Sequence, residues 1–460
     1  MHDVSGRTTR GTATSLAVAL LCACGVVAHF TVGGESLAAF GGRGILDPGT
    51  SAEAGRALPP WRLTRLGATP VFDHGLFTTQ EPAAPQTVSA AQLQAAIDKL
   101  GDLDYATRTN AARTVRRTSG SQAVPALLQT LGEHTDGYVR YRALVLLTGF
   151  NDPRTKDAMR ESLTSPNDRL RAVAYAFFEH SPDAALVTTL LAAFDKEQAE
   201  FVRPALIRAL VAAAKPPASS ASLGDIGRVQ QALVRDVSRG EDFFRSVVIE
   251  ALGDYKASYA FDAITAVAKL DGPLQDDAAL ALGKIGDKRA VGTLAGLQRT
   301  APRSAQPSIA AAICLLDVNC STHEGYLAES LAFADKNPGF QELLRGAAAG
   351  LGALAVAGHS ESLDTLFRIG VPATDEATRA PVALAVATVA LRNTTLMLPW
   401  LGKAPNQAAA LALVAEGVEM LEEDLDKERF FALTRRMYWD AQEGSATRAL
   451  MQTLIGKLDF

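Results

Sequence analysis

The chain has 460 residues, of which 48% are hydrophobic and 21% charged, so it holds ample material for a packed core and is not a disordered polymer. Forty-five basic residues against fifty acidic ones leave a net charge of -5, which argues against a dedicated nucleic-acid binder. Four cysteines, two of them in an N-terminal apolar segment, exclude a disulfide-stapled scaffold.

Residues 1–30 read as a signal peptide or an N-terminal membrane anchor. Arg7 and Arg10 precede an uncharged run from Leu16 to Val27, about a dozen apolar residues as in a secretory signal. With the two arginines held on the cytoplasmic side, the remainder of the chain is expected on the outer, periplasmic face of the membrane. Leu21-Cys22-Ala23-Cys24 resembles a bacterial lipobox, which makes Cys24 a candidate for lipidation; in the alternative both cysteines are simply apolar members of the segment. From residue 31 to residue 88, pairs such as Gly33-Gly34, Gly41-Gly42 and Pro59-Pro60 oppose helix and strand alike. That stretch is expected to be a flexible linker.

From Ser89 to the C-terminus the texture is helical. Ser89 and Gln92 form a capping-box pattern, and Leu93, Ala96, Ile97 and Leu100 then recur at helical spacing. Val139-Arg140, Leu170-Arg171, Val202-Arg203 and Phe244-Arg245 head successive alanine-rich stripes, continued by Leu274-Gln275 and Ala305-Gln306. The step is about 31 residues, stretched by about ten before Phe244, where Lys215-Pro216-Pro217-Ala218-Ser219-Ser220 forms an insertion. A fixed period of this length predicts an all-α, right-handed α-solenoid (superhelix) of about eleven helical hairpins over 89–460, closed by an acidic and aromatic cap from about residue 403. Gly132, Gly253, Gly283 and Gly286 are expected to end helices or turns.

Ala281-Leu282-Gly283-Lys284-Ile285-Gly286-Asp287-Lys288-Arg289-Ala290-Val291 resembles the signature of the short HEAT-like repeats named after the phycobilisome lyases. Val124-Pro125-Ala126-Leu127-Leu128 and Val139-Arg140 resemble HEAT repeat positions. The resemblance implies that Arg140, Arg171, Arg203 and Arg245 knit neighbouring turns together, with Asp136, Asp168, Glu200 and Asp242 close enough to receive them; the alternative is a ligand-binding ladder. It implies a repeat class rather than a function, because such repeats serve scaffolds, adaptors and some enzymes.

Chemistry-bearing clusters are sparse. His323-Glu324 and Glu179-His180 do not supply the ligand set of the di-iron deoxyhypusine hydroxylases, and His134, His180 and His359 scatter over both edges of the array. Cys314 and Cys320, with His323 and Glu324 nearby, allow three readings: a local disulfide, a metal site, or two packing cysteines. The basic cluster Arg108, Arg113, Arg116 and Arg117 reads as a solvated face or one near anionic lipid. The acidic band Glu416, Glu419, Glu422, Glu423, Asp424, Asp426 and Glu428 reads as the outer surface of a terminal hairpin. Phe431, Arg435, Tyr438 and Trp439 are candidates for a partner site, since aromatic residues and arginine dominate protein interfaces; the alternative is that they seal the cap. The expected function is a non-catalytic scaffold that binds another protein on the concave face lined by the second helix of each hairpin, with no cofactor, no metal and no nucleic acid. Two rivals remain: a HEAT-like enzyme or cofactor handler, bilin lyase-like or a metal-dependent oxidoreductase, and a cytosolic regulator for which the apolar N-terminus is irrelevant.

Overall fold

The computed structural model describes residues 88–215, 223–421 and 424–458. The signal or anchor at 1–30 with Cys24, nearly all of the linker, Pro216–Ser220 of the insertion, Glu422 and Glu423 lie outside the described residues. Among the described residues there are 22 α-helices and no strand.

The helices come in pairs. The first five are α1 (Ala90–Asp98) with α2 (Tyr105–Arg117), α3 (Gly120–Glu133) with α4 (Gly137–Leu147), α5 (Arg154–Ser162) with α6 (Asp168–His180), α7 (Val187–Phe194) with α8 (Arg203–Ala213), and α9 (Leu223–Val237) with α10 (Asp242–Asp254). Next come α11 (Phe261–Ala268) with α12 (Gln275–Ile285), α13 (Ala290–Thr300) with α14 (Gln306–Leu315), and α15 (Cys320–Asp335) with α16 (Gln341–Ala357). The last three are α17 (Ser360–Gly370) with α18 (Glu376–Arg392), α19 (Thr394–Lys403) with α20 (Gln407–Met420), and α21 (Asp424–Asp440) with α22 (Ala446–Leu458). Local chemistry sets these boundaries: Ser89 and Gln92 close a reciprocal capping box on α1, and Asp104, Asp136, Asn167 and Asp375 cap α2, α4, α6 and α18 with their side chains.

From α4 to α20 each even-numbered helix stacks directly on the next, which makes them the inner layer of an all-α solenoid. They are accordingly apolar almost all round: every residue of α8 from Arg203 to Ala213 is buried. Small residues let their axes approach. Gly253 and Gly283 fall in the last turns of α10 and α12 but keep helical backbone, so neither is the left-handed terminating glycine that the sequence suggests. A Cβ on Gly283 would sit 2.4 Å from Cα of Ala312, so this glycine is required by close packing, not by a turn. Gly286 does end α12, in the left-handed conformation at φ 83°. Gly132 falls within α3.

The last hairpin breaks the pattern. α22 packs on α19 and α20, whereas α21 packs on α18, α4, α6 and the turn Thr148–Phe150. The first helix of this pair is therefore the inner one, which corrects the expectation that the second helix always is. Leu425 joins the core of the N-terminal hairpins, while Phe430 and Phe431 join that of the C-terminal ones, so α21 belongs to both. No single described helix is long and apolar enough to cross a membrane.

Candidate functional site: a charged inner face and an adjoining cleft

α21 crosses the inner layer because its carboxylates meet cations delivered by helices far away in sequence. Asp424 receives Nη1 of Arg142 at 3.0 Å and the hydroxyl of Tyr141. Asp426 lies 2.7 Å from Nε2 of His180, the last residue of α6, and 3.1 Å from Nη2 of Arg392, the last residue of α18. Glu428, with 1% of its side chain exposed, accepts Nε of Arg116 at 2.7 Å and lies 3.6 Å from Arg435. Gly149 clears the path, since a Cβ there would fall 2.6 Å from Oε1 of Glu428.

Burial alone would raise the carboxyls of Asp424 and Asp426. Arg142, and Arg392 with His180, more than reverse it, leaving Asp424 below and Asp426 well below the usual carboxylate range. Arg435 is pulled down to about 10, chiefly by burial, with Glu428 opposing. These placements overturn two readings of the sequence. Asp424, Asp426 and Glu428 turn inward instead of forming a solvated outer band, and Arg116 is a buried partner instead of a lipid-facing charge. A charge this well enclosed persists only beside an opposite one.

Deeper in the same layer, Arg208 of α8 bridges Glu179 of α6 at 2.6 Å and Asp254 of α10 at 2.9 Å. Lys284 of α12 reaches Asp254 at 2.8 Å, and the Tyr255 hydroxyl donates to Glu179 at 3.2 Å. Burial pushes the Glu179 carboxyl up, but Arg208 and then His180 outweigh it and hold it at about 2. A chain of ion pairs thus runs across four consecutive inner helices, fixing their relative register. Glu179-His180, a weak metal candidate by sequence, is part of this lattice.

The arginine series has a common geometry. Arg140 donates to the carbonyl of Leu131, Arg203 to that of Phe194 and Arg245 to that of Val237, in each case near the end of the preceding outer helix. Arg171 donates to Ser165 O in the turn before α6. The acids differ from those the sequence suggested: Arg171 pairs with Glu197 and Arg203 with Asp236, each in the following hairpin, while Arg245 does take Asp242. Arg379 is a further member that the sequence reading missed, donating to Gly370 O and pairing with Glu416. The signal available was its place three residues after the α18 start, like Arg171 in α6.

Phe431 and Arg435 are 8% exposed and face the interior, where the guanidinium of Arg116 lies 5.2 Å from the Phe431 ring. Tyr438 and Trp439 pack edge to face and are half-buried beside Arg448. The four residues are therefore split between the core and the surface. Cys314 and Cys320 are joined as a disulfide, and the imidazole beside them is that of His359, Nδ1 lying 3.7 Å from Cys320 Sγ. His323 turns instead toward Gln298, and burial lowers its pKa.

Beside the stretched repeat step, α8, α9 and α10 frame a cleft of about 490 Å³ lined by Arg203, Arg235, Arg239, Asp236, Glu241 and Phe244 among others. The Arg203 guanidinium lies 4.5 Å from the Phe194 ring and 5.3 Å from that of Phe244, an arrangement that immobilises it. Asp236 already pairs with Arg203 at 3.2 Å and Arg235 at 2.7 Å, so an acidic side chain flanked by apolar atoms would be received at the exposed edge formed by Arg235, Arg239 and Phe244. Arg235 and Arg239 were not singled out in the sequence; the lengthened step before Phe244 was the available sign.

Residues 92–179 and 124–211 match the family model of HEAT repeats. An engineered protein solved by a structural genomics consortium aligns at 16% identity and a TM-score of 0.26, over 81% of this chain and all of that one. Kap121p aligns at 11% identity and a TM-score of 0.28, over 80% of this chain and 53% of its own. Kap121p bound to Nup53p aligns at 12% identity and 0.27, over 80% and 50%. The chain thus spans about half the length of the Kap121p chains. No curated protein matches it.

Proposed function

We propose that this protein is a non-catalytic scaffold that binds another protein, tethered at the cell envelope by residues 1–30 with its helical array on the outer side. The carrying observation is the cleft between α8, α9 and α10, where the exposed Arg235 and Arg239 stand beside Phe244 over an Arg203 already engaged by Asp236 and the carbonyls of Phe194 and Glu197. A preformed site of this kind takes a partner segment without a large ordering cost on the scaffold's side. The partner segment is one that presents a carboxylate next to an apolar or aromatic side chain. With α21 laid over α4 and α6, the partner surface moves from the inner face as a whole to this cleft. Arg7, Arg10 and the apolar run Leu16–Val27 support the tether.

The test is affinity capture of the full-length protein from gently solubilised native membranes, beside the double variant Arg235→Glu/Arg239→Glu. A near-stoichiometric partner that is lost from the variant, with an unchanged circular dichroism melt, supports the cleft. A partner retained by the variant removes the cleft from the account. Recovery of the wild-type protein in the soluble cytosolic fraction removes the tether.

A further inference from the structure

The turn after α14 brings two sulfurs and an imidazole to one point. Cys314 is next to last in α14 and 1% exposed, and Cys320 is the first residue of α15 and half-buried. Between them Asp317 and Asn319 take left-handed conformations, at φ 62° and 45°. Asp317 N donates to Cys314 O at 2.8 Å and Val318 N to Ile313 O at 3.3 Å. Four residues thus reverse the chain within two hydrogen bonds, and the geometry is held by backbone rather than by the sulfurs alone.

His359 arrives from the next hairpin. It follows Gly358, which ends α16 at φ 111°, and its own N–H donates to Leu354 O at 3.0 Å, so its position is fixed by the helix-terminating turn. Glu324 lies one turn beyond Cys320 on α15, and Ser362 lies three residues beyond His359 on α17. The Ser362 hydroxyl, fully buried, donates to Oε1 of Glu324 and bolts the two helices together beside the sulfurs. One ligand atom from each of Cys314, Cys320 and His359 falls within 4.8 Å of the others.

We propose that Cys314, Cys320 and His359 form a redox-gated Zn²⁺ site, closed while the cysteines are bridged and opened by reduction. A thiolate at about 2.3 Å and an imidazole at about 2.0 Å on a tetrahedral ion stand roughly 3.6 Å apart. Cys320 Sγ and His359 Nδ1 are already 3.7 Å apart. Two thiolates and a neutral imidazole neutralise the dication, and soft sulfur donors select zinc over magnesium or calcium. Half-exposure of Cys320 and His359 gives the ion a route in and leaves the fourth position to water. The chemistry balances with a small thiol reductant. Two thiols give up two electrons and two protons to the bridge and leave as their own disulfide, producing Cys314–SH and Cys320–SH. Binding of Zn²⁺ then releases those two protons to solvent as the thiolates bond to the metal.

The experiment uses full-length protein, reduced with a phosphine and freed of it under anaerobic conditions, then titrated with Zn²⁺ against a chromophoric chelator. Co²⁺ replaces zinc in a parallel sample. Reduced wild type should take up one equivalent of zinc and show thiolate-to-cobalt charge-transfer absorption, and the bridged form should do neither. His359→Ala should weaken zinc binding by about tenfold or more, whereas His323→Ala and Cys22→Ser/Cys24→Ser should leave it unchanged. The proposal fails if reduced wild type binds zinc no better than Cys314→Ser/Cys320→Ser, or if His323→Ala rather than His359→Ala removes the binding. Circular dichroism of each variant separates loss of the ligand from loss of the fold.

Discussion

The inner layer is built in two chemistries. From α6 to α12 neighbouring helices are joined through Glu179, Arg208, Asp254 and Lys284, all enclosed. From α16 to α20 the buried contacts are almost wholly Ala, Val, Leu and Gly, as in Ala347, Leu351, Val382, Ala383, Leu411 and Val414. The small-residue seam gains stability by contact, because close axes raise the number of touching atoms and exclude water from apolar area. The ionic seam gains little net energy from being ionic, since desolvation offsets the Coulomb attraction. What it adds is register: a guanidinium held by two carboxylates on two helices tolerates one arrangement of those helices. The first seam is sensitive to volume and the second to charge.

Removing one member of the ionic seam should have the largest effect. Arg208→Met leaves Glu179 and Asp254 enclosed together and should cost about 3–5 kcal/mol in denaturant unfolding. An equally large loss from a volume-preserving change between α16 and α20 would erase the distinction between the seams. Asp426→Asn removes the charge that faces His180 and Arg392, with an expected cost of about 1.5–3 kcal/mol. Hydrogen exchange should quicken first in α21. Protection lost uniformly along the chain would show that α21 is no separate unit.

The small-residue seam should respond to a single methyl group. A Cβ on Gly417 would lie 2.0 Å from the Ala383 carbonyl oxygen, so Gly417→Ala must push α18 and α20 apart. The expected loss is about 1–3 kcal/mol. Acid should divide the two regions again. The Glu179 carboxyl falls from 4.5 to about 2 on folding, and those of Asp424 and Asp426 also fall. A depressed carboxyl stabilises fully above its unfolded pKa and loses that contribution as pH drops through the folded value. Denaturant midpoints should therefore decline below about pH 4.5 and continue falling toward about pH 2, and the decline should be shallower in Asp426→Asn. The smallest effect belongs to the outside. Asp157 meets Arg160 at 2.8 Å, with 71% and 42% of the two side chains exposed. Asp157→Asn should cost less than about 1 kcal/mol, because water and salt screen such pairs.

The repeat array was legible because its causes are local. The capping box at Ser89, the recurring Arg and the alanine stripes all act within one hairpin, and their period reports stacking directly. The closure by α21 was not legible in the same way. Arg116 and Glu428 are 312 residues apart, and each looks like an ordinary surface charge until the curvature of the array is known. Their opposite signs at opposite ends were the only hint in the sequence. The imidazole near the cysteines shows the same limit on a smaller scale. Reading along the chain favoured His323, three residues from Cys320, whereas stacking puts the start of the next outer helix beside the turn and so brings in His359, 39 residues away.

A repeat array bound only by neighbour contacts can gain or lose a unit with little consequence elsewhere. This one counts its units. The three carboxylates of α21 sit within about 6 Å along one helix axis, and four different hairpins meet them through Arg116, Arg142, His180 and Arg392. Deleting one hairpin between α6 and α18 would displace one side of that clasp by roughly 8–10 Å, the separation of packed helices. That displacement exceeds the 2.7 Å and 3.1 Å spacings by which His180 and Arg392 hold Asp426, so the clasp ties its own geometry to the number of hairpins it encloses. Lengthening or shortening the array would demand a new clasp at the same step.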